Sequence, residues 1–112
     1  MSNVGNLEKS YEYLKKYYLS ELTKKETIEL LQTEASFNSE GSAHMYVKSF
    51  KLILRGEEYT LNISANAISI YLENIRNDFG HEILNKSITS IQKHLKTKPN
   101  KNIELVIKNY IN

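Results

Sequence analysis

Leu7, Tyr11, Leu14 and Tyr18 recur at steps of four, three and four, which places them on one face of a helix over about residues 6–19 with Glu8, Glu12, Lys15 and Lys16 opposite. Thr23-Lys24-Lys25-Glu26 then reads as a capping box, Thr23 accepting from the backbone of Glu26 and Glu26 reaching back to that of Thr23. Ile28, Leu31 and Ala35 form the inner stripe of this second helix, and the small polar run from Ser36 to Gly41 is a loop. Ser42 is the expected cap of a third helix with Ala43, Tyr46, Val47, Phe50, Ile53 and Leu54 inside, ended by Gly56. Asn62 or Ser64 can cap a fourth, whose stripe of Ala65, Ile68, Tyr71, Leu72, Ile75 and Phe79 stops at Gly80. Leu84, Ile88, Ile91 and Leu95 continue as a fifth, and Pro99 marks its end because the residue before a proline resists the α region.

Two segments carry a second periodicity. Phe50, Leu52 and Leu54 alternate, as do Tyr59, Leu61 and Ile63, so Arg55-Gly56-Glu57-Glu58 could be the turn of a β-hairpin. The longer window favours the helix, since its stripe reaches back to Ala43 while the alternation fails at Tyr46 and Ser49. Ile103, Val106, Ile107, Tyr110 and Ile111 keep helical spacing, although their β-branched content also admits a strand over Ile103-Leu105-Ile107. The expected fold is therefore all-α, a compact bundle of five or six short helices, with α+β and a hairpin at residues 50–63 as the fallback.

A chain of 112 residues suits one core, so a single helical domain over residues 1–112 is expected, loosest at its ends (1–5 and 97–112). Cysteine is absent, which removes disulfides, thiolate nucleophiles and cysteine-based metal centres and points to a reducing cytoplasm. No apolar run approaches the roughly 18 to 20 residues that span a bilayer, and the first residues have no secretory h-region, so no membrane partner is expected.

Net charge is only +2, but it is unevenly spread. Residues 1–80 hold nine Lys/Arg against eleven Asp/Glu, while residues 81–112 hold six Lys against Glu82 and Glu104. Lys86, Lys93, Lys96, Lys98 and Lys101 form this basic end, and clustered amines of that kind neutralise phosphates and release counterions. Ser87, Thr89 and Ser90 offer hydroxyls to the same backbone. The plainer role of such lysines is solubility and complementing a helix C-terminus.

Four of the eight tyrosines, Tyr11, Tyr13, Tyr17 and Tyr18, crowd into the first helix. Tyr11 and Tyr18 belong to the inner stripe, whereas Tyr13 and Tyr17 lie four apart on a flanking face where amphipathic rings suit a protein partner. His44, His81 and His94 are scattered and read as surface or helix-end residues rather than metal ligands. Glu57-Glu58 is a solvated turn, because neighbouring side chains on a loop point apart, and the isolated glycines build no phosphate-cradling loop. Neither a cofactor, a metal nor an enzymatic activity is expected.

Ser42-Ala43-x-x-Tyr46-Val47 through Gly56-Glu57-x-Tyr59-Thr60, then Tyr71-Leu72-Glu73-x-Ile75-x-x-Asp78-Phe79-Gly80 and Ser90-Ile91-x-Lys93-His94-Leu95, resembles an accessory module of bacterial HNH-type endonucleases of restriction systems and mobile elements. The resemblance covers residues 42–95, rests mostly on packing and helix-end positions, and implies a non-catalytic part that helps a nuclease meet DNA or a partner. The closely spaced histidines of the nuclease site itself are missing. In helix pattern alone the chain is also similar to the DNA-clamping domains of tyrosine recombinases. The functional expectation is a DNA-associated binding module; the alternative is a small phage- or plasmid-type inhibitor or adaptor that uses Tyr13 and Tyr17, in self-association or with another protein.

Overall fold

A computed structural model of the protein describes residues 4–111. Among them are six helices and no strand: α1 (Val4–Tyr18), α2 (Lys24–Glu34), α3 (Glu40–Arg55), α4 (Ala65–Phe79), α5 (His81–Thr97) and α6 (Lys101–Lys108). The fold is all-α, and the chain groups into two compact units, Met1–Lys51 and Leu52–Asn112, with the division falling inside α3.

In the first unit α1 packs on α2, and Leu7, Tyr11, Leu14, Leu31, Ala43, Val47 and Phe50 are buried. Tyr11 meets Phe50 edge-on with ring centroids 5.8 Å apart, and Phe37 meets Tyr46 edge-on at 4.7 Å, the geometry that aromatic quadrupoles favour. The capping box at the head of α2 is fully formed: the Thr23 hydroxyl accepts from the Glu26 amide at 3.1 Å, and the Glu26 carboxylate accepts from the Thr23 amide at 2.9 Å. α3 starts two residues before the expected Ser42, because Ser39 is the capping hydroxyl and accepts from the Ser42 amide at 3.0 Å. Tyr18 is half-buried rather than part of the core, since it closes α1 where the chain turns away.

That turn is a Schellman motif with Ser20 in the left-handed region at φ 63°, the Glu21 amide donating to Lys16 and the Ser20 amide to Tyr17. α3 ends the same way with Gly56 at φ 77°, the Glu57 amide donating to Leu52 and the Gly56 amide to Ile53. At Gly56 the lack of a side chain matters twice, because a Cβ there would also lie 3.3 Å from the Lys86 carbonyl oxygen.

In the second unit α4 packs on both α5 and α6. Ile53, Leu54, Ile68, Tyr71, Leu72, Ile75, Leu84, Ile88, Ile91, Ile103 and Ile107 are buried, while Phe79 at the end of the α4 stripe is only half-buried. Ser64 caps α4 by accepting from the Ala67 amide at 3.1 Å. Gly80, at φ 86°, joins α4 directly to α5 by donating to the Arg76 carbonyl and accepting from the Leu84 amide. Asn100 caps α6, whose β-branched residues lie in a helix and bury Ile103 and Ile107.

The hairpin alternative does not form. Phe50, Ile53 and Leu54 are buried at helical spacing at the end of α3, and residues 57–64 have no ladder partner. The alternation of Tyr59, Leu61 and Ile63 is nonetheless physical: Tyr59 and Ile63 are buried, Leu61 is half-buried, and Thr60 and Asn62 between them are exposed. This linker buries every second side chain as a strand would, yet its carbonyls find partners elsewhere.

Candidate nucleic-acid interface

Those partners are side chains of α5 and of Lys98, the residue after it. The Lys93 ammonium donates to the Gly56 carbonyl at 2.9 Å, the Ser90 hydroxyl to Glu57 at 2.5 Å, the His94 Nδ1 to Tyr59 at 2.7 Å and the Lys98 ammonium to Thr60 at 2.6 Å. Residues 90, 93, 94 and 98 follow the helical i, i+3, i+4, i+8 spacing, so one edge of the C-terminal half of α5 faces the linker. A carbonyl oxygen only accepts, so His94 carries its proton on Nδ1 in this pair. Its ring lies flat against Tyr59, centroids 4.3 Å apart and planes 2° from parallel. Both residues are buried, at 2% and 1% exposure, and the Tyr59 hydroxyl is buried with no hydrogen-bond partner among the described residues. Burial accordingly pushes the Tyr59 phenol far above its ordinary pKa.

His94 is thus a structural donor inside the second unit, not the surface residue its place near the helix end suggested. Ser87 and Ser90 are likewise buried, with Ser87 bonded to the Ile83 carbonyl, so neither hydroxyl is presented to a phosphate backbone. The Thr89 hydroxyl is held by the Asn85 carbonyl of its own helix at 3.0 Å. No periodicity in the sequence marks these bonds; only the unusual placement of a histidine and two serines on the inner stripe hinted at a polar contact there.

The exposed side of α5, which borders the linker-facing edge, carries Asn85, Lys86, Thr89, Gln92, Lys93 and Lys96, with Glu82 as its carboxylate. At 100° per residue, Lys86, Lys93 and Lys96 fall within an arc of about 80°. Three of the five expected phosphate-binding lysines therefore share one face. The other two are placed differently: Lys98 reaches the Thr60 carbonyl beyond the end of α5, and Lys101 is exposed in the first turn of α6.

Between the linker and the start of α6 lies a cleft of about 470 Å³, lined by Asn62, Ile63, His94, Lys98, Asn100 and Ile103 together with the proline at position 99. In the first unit, Tyr13 and Tyr17 are both half-buried on α1. The Lys51 ammonium stands 5.6 Å from the centre of the Tyr17 ring, and Tyr17 borders a separate hollow of about 380 Å³ with Tyr18, Glu21, Glu26 and Lys51. Glu57 and Glu58 are exposed on the linker. Among the described residues no group of three or more His, Cys, Asp or Glu could hold a metal ion, and no helix is long and apolar enough to cross a membrane.

No family model, curated protein or solved structure matches the chain.

Proposed function

We propose that the second unit is a non-catalytic DNA-associated binding module that lays the outward face of α5 along a phosphate backbone. The observation that carries this reading is the exposed arc of Lys86, Lys93 and Lys96, whose facing carboxylate is Glu82 alone on that helix. Lys93 keeps two N–H groups beyond the one given to Gly56, so its amine serves both the linker and a phosphate. Asn85 and Gln92 on the same face add neutral polar contacts through their side-chain amides. A defence or mobile-element setting follows only from the resemblance to HNH-associated modules.

Three phosphate contacts predict a modest affinity and a log–log salt slope of about −2.7 on duplex DNA, or a loss of roughly fortyfold between about 50 and 200 mM salt. Fluorescence anisotropy with duplex and single-stranded oligonucleotides measures both. The double substitution Lys86→Met and Lys96→Met should reduce the slope to about −0.9, the value for one remaining contact. Absence of binding to either form of DNA at the lower salt concentration refutes the proposal.

The second reading, a protein-interaction factor, is favoured by the half-buried Tyr13 and Tyr17 on α1 and by the hollow beside Tyr17. An association that survives nuclease digestion and is lost with Tyr13→Ala and Tyr17→Ala would replace the DNA reading with this one.

A further inference from the structure

We infer that the cleft between the linker and α6 is a site for a phosphomonoester, with the terminal phosphate of a nucleic-acid strand as its source; the choice of source rests on the DNA reading above. The groups that border the cleft suit an oxyanion. His94 is 2% exposed and lines it, and with Nδ1 committed to the Tyr59 carbonyl its remaining ring nitrogen, Nε2, has no protein partner among the described residues. A ring nitrogen without a protein partner, in a side chain that lines a cleft, is left to hydrogen-bond what enters it. Lys98 brings a positive charge, and its bond to Thr60 at 2.6 Å fixes the ammonium while leaving two N–H groups to donate.

Asn100 stands at the same place. Its side-chain oxygen is occupied by the Ile103 amide at 3.1 Å, so what it offers the cleft is the NH₂ group. Asn62 contributes a second amide from the linker side. The cleft also lies at the N-terminus of α6, the positive end of that helix, and no carboxylate among the described residues lines it. Ile63 and Ile103 form an apolar floor. The volume of about 470 Å³ exceeds what a phosphate alone needs and leaves room for the sugar that bears it.

An oxyanion there accepts from Lys98 and the Asn amides. His94 Nε2 takes either role: as a neutral ring it accepts the proton of a singly ionised phosphomonoester, and as imidazolium it donates to the dianion.

Two measurements test this on the full chain. Affinity for one oligonucleotide with and without a 5′-phosphate, and with and without a 3′-phosphate, should differ roughly tenfold for at least one end, the yield of one charge-assisted hydrogen bond. Lys98→Met and Asn62→Ala should each shrink that ratio, while Lys86→Met with Lys96→Met lowers affinity for all the oligonucleotides and leaves the ratio unchanged. Independently, titration of the unmodified protein with inorganic phosphate should shift the side-chain nitrogen resonances of His94 but not those of His44. Equal affinities for phosphorylated and unphosphorylated ends, or a ratio that survives Lys98→Met, overturn the strand-end site. A His94 signal that ignores inorganic phosphate overturns the oxyanion site itself. A protein that responds to inorganic phosphate yet binds no unphosphorylated DNA keeps the cleft and loses the α5 proposal, so the two failures are distinguishable.

Discussion

His94→Phe isolates the bond that holds the linker to α5. Phenylalanine keeps a flat ring to stack on Tyr59 at the present 4.3 Å, and its additional bulk has the cleft beside it. What it removes is the Nδ1 donor, leaving the Tyr59 carbonyl, now bonded at 2.7 Å in a buried setting, without a partner. An unsatisfied buried acceptor costs about 1 to 3 kcal/mol, more than the roughly 0.5 to 1.5 kcal/mol net value of an ordinary hydrogen bond. Tyr59→Phe is the matching change on the other ring of the stack and has the opposite sign. It deletes a buried hydroxyl that has no partner among the described residues, so stability should hold or rise by about 1 kcal/mol. Urea unfolding followed by circular dichroism, with the slope unchanged so that midpoints compare directly, measures both. If His94→Phe lies within about 0.5 kcal/mol of the parent, the size of an ordinary surface substitution, the bond to Tyr59 does not hold the linker and the reasoning fails.

The two Schellman turns should respond oppositely to exchange of their left-handed residue. Ser20→Gly relieves strain at φ 63° and should be neutral to about 1 kcal/mol stabilising, whereas Gly56→Ala meets both φ 77° and the Lys86 carbonyl at 3.3 Å and should cost about 1 to 3 kcal/mol; the same unfolding assay reads both. The Glu26 carboxyl is held below its ordinary pKa by the Thr23 backbone amide first and the Thr23 side chain second. A depressed folded pKa means that the capping contribution is complete above the ordinary carboxylate value and is lost as pH falls through the lowered one. A carboxyl-carbon titration of Glu26 by NMR should show that low midpoint, and Thr23→Ala should raise it while costing about 1 kcal/mol of stability.

The helices were legible because each announces itself twice, once in a buried stripe and once at an end. Leu31 and Ala35 lie inside as their spacing required, and the Thr23 box, Ser64, Gly56 and Gly80 sit at the boundaries they mark. Ser39 displaced Ser42 as a cap because several small polar residues in one loop compete for that role, and only the backbone path selects among them. The alternation at Tyr59, Leu61 and Ile63 was a true signal of extended backbone that suggested the wrong partner. Period-two burial reports which side chains turn inward; it says nothing of where the carbonyls go, and here they go to a helix edge more than thirty residues later rather than to a second strand.

The same limit governs the basic end. Composition counts amines, and a count treats Lys86, Lys93, Lys96, Lys98 and Lys101 as one cluster. Helical rotation divides them: the first three share the outward face of α5, while the bond to Thr60 draws Lys98 to the cleft at the start of α6. Lys93 belongs to both descriptions, since its stem lies on the outward face and its ammonium reaches the Gly56 carbonyl. Replacing it should therefore weaken folding and the proposed DNA contact together, which makes Lys93 a poor probe of either. Lys86 and Lys96, exposed on that face and absent from the linker bonds, are the positions where a change in affinity reports the proposed interface rather than the fold. A charge patch read from sequence becomes an argument about binding only after the amines engaged by backbone carbonyls have been told apart from the rest, because those amines are fixed in position and have one N–H fewer to donate.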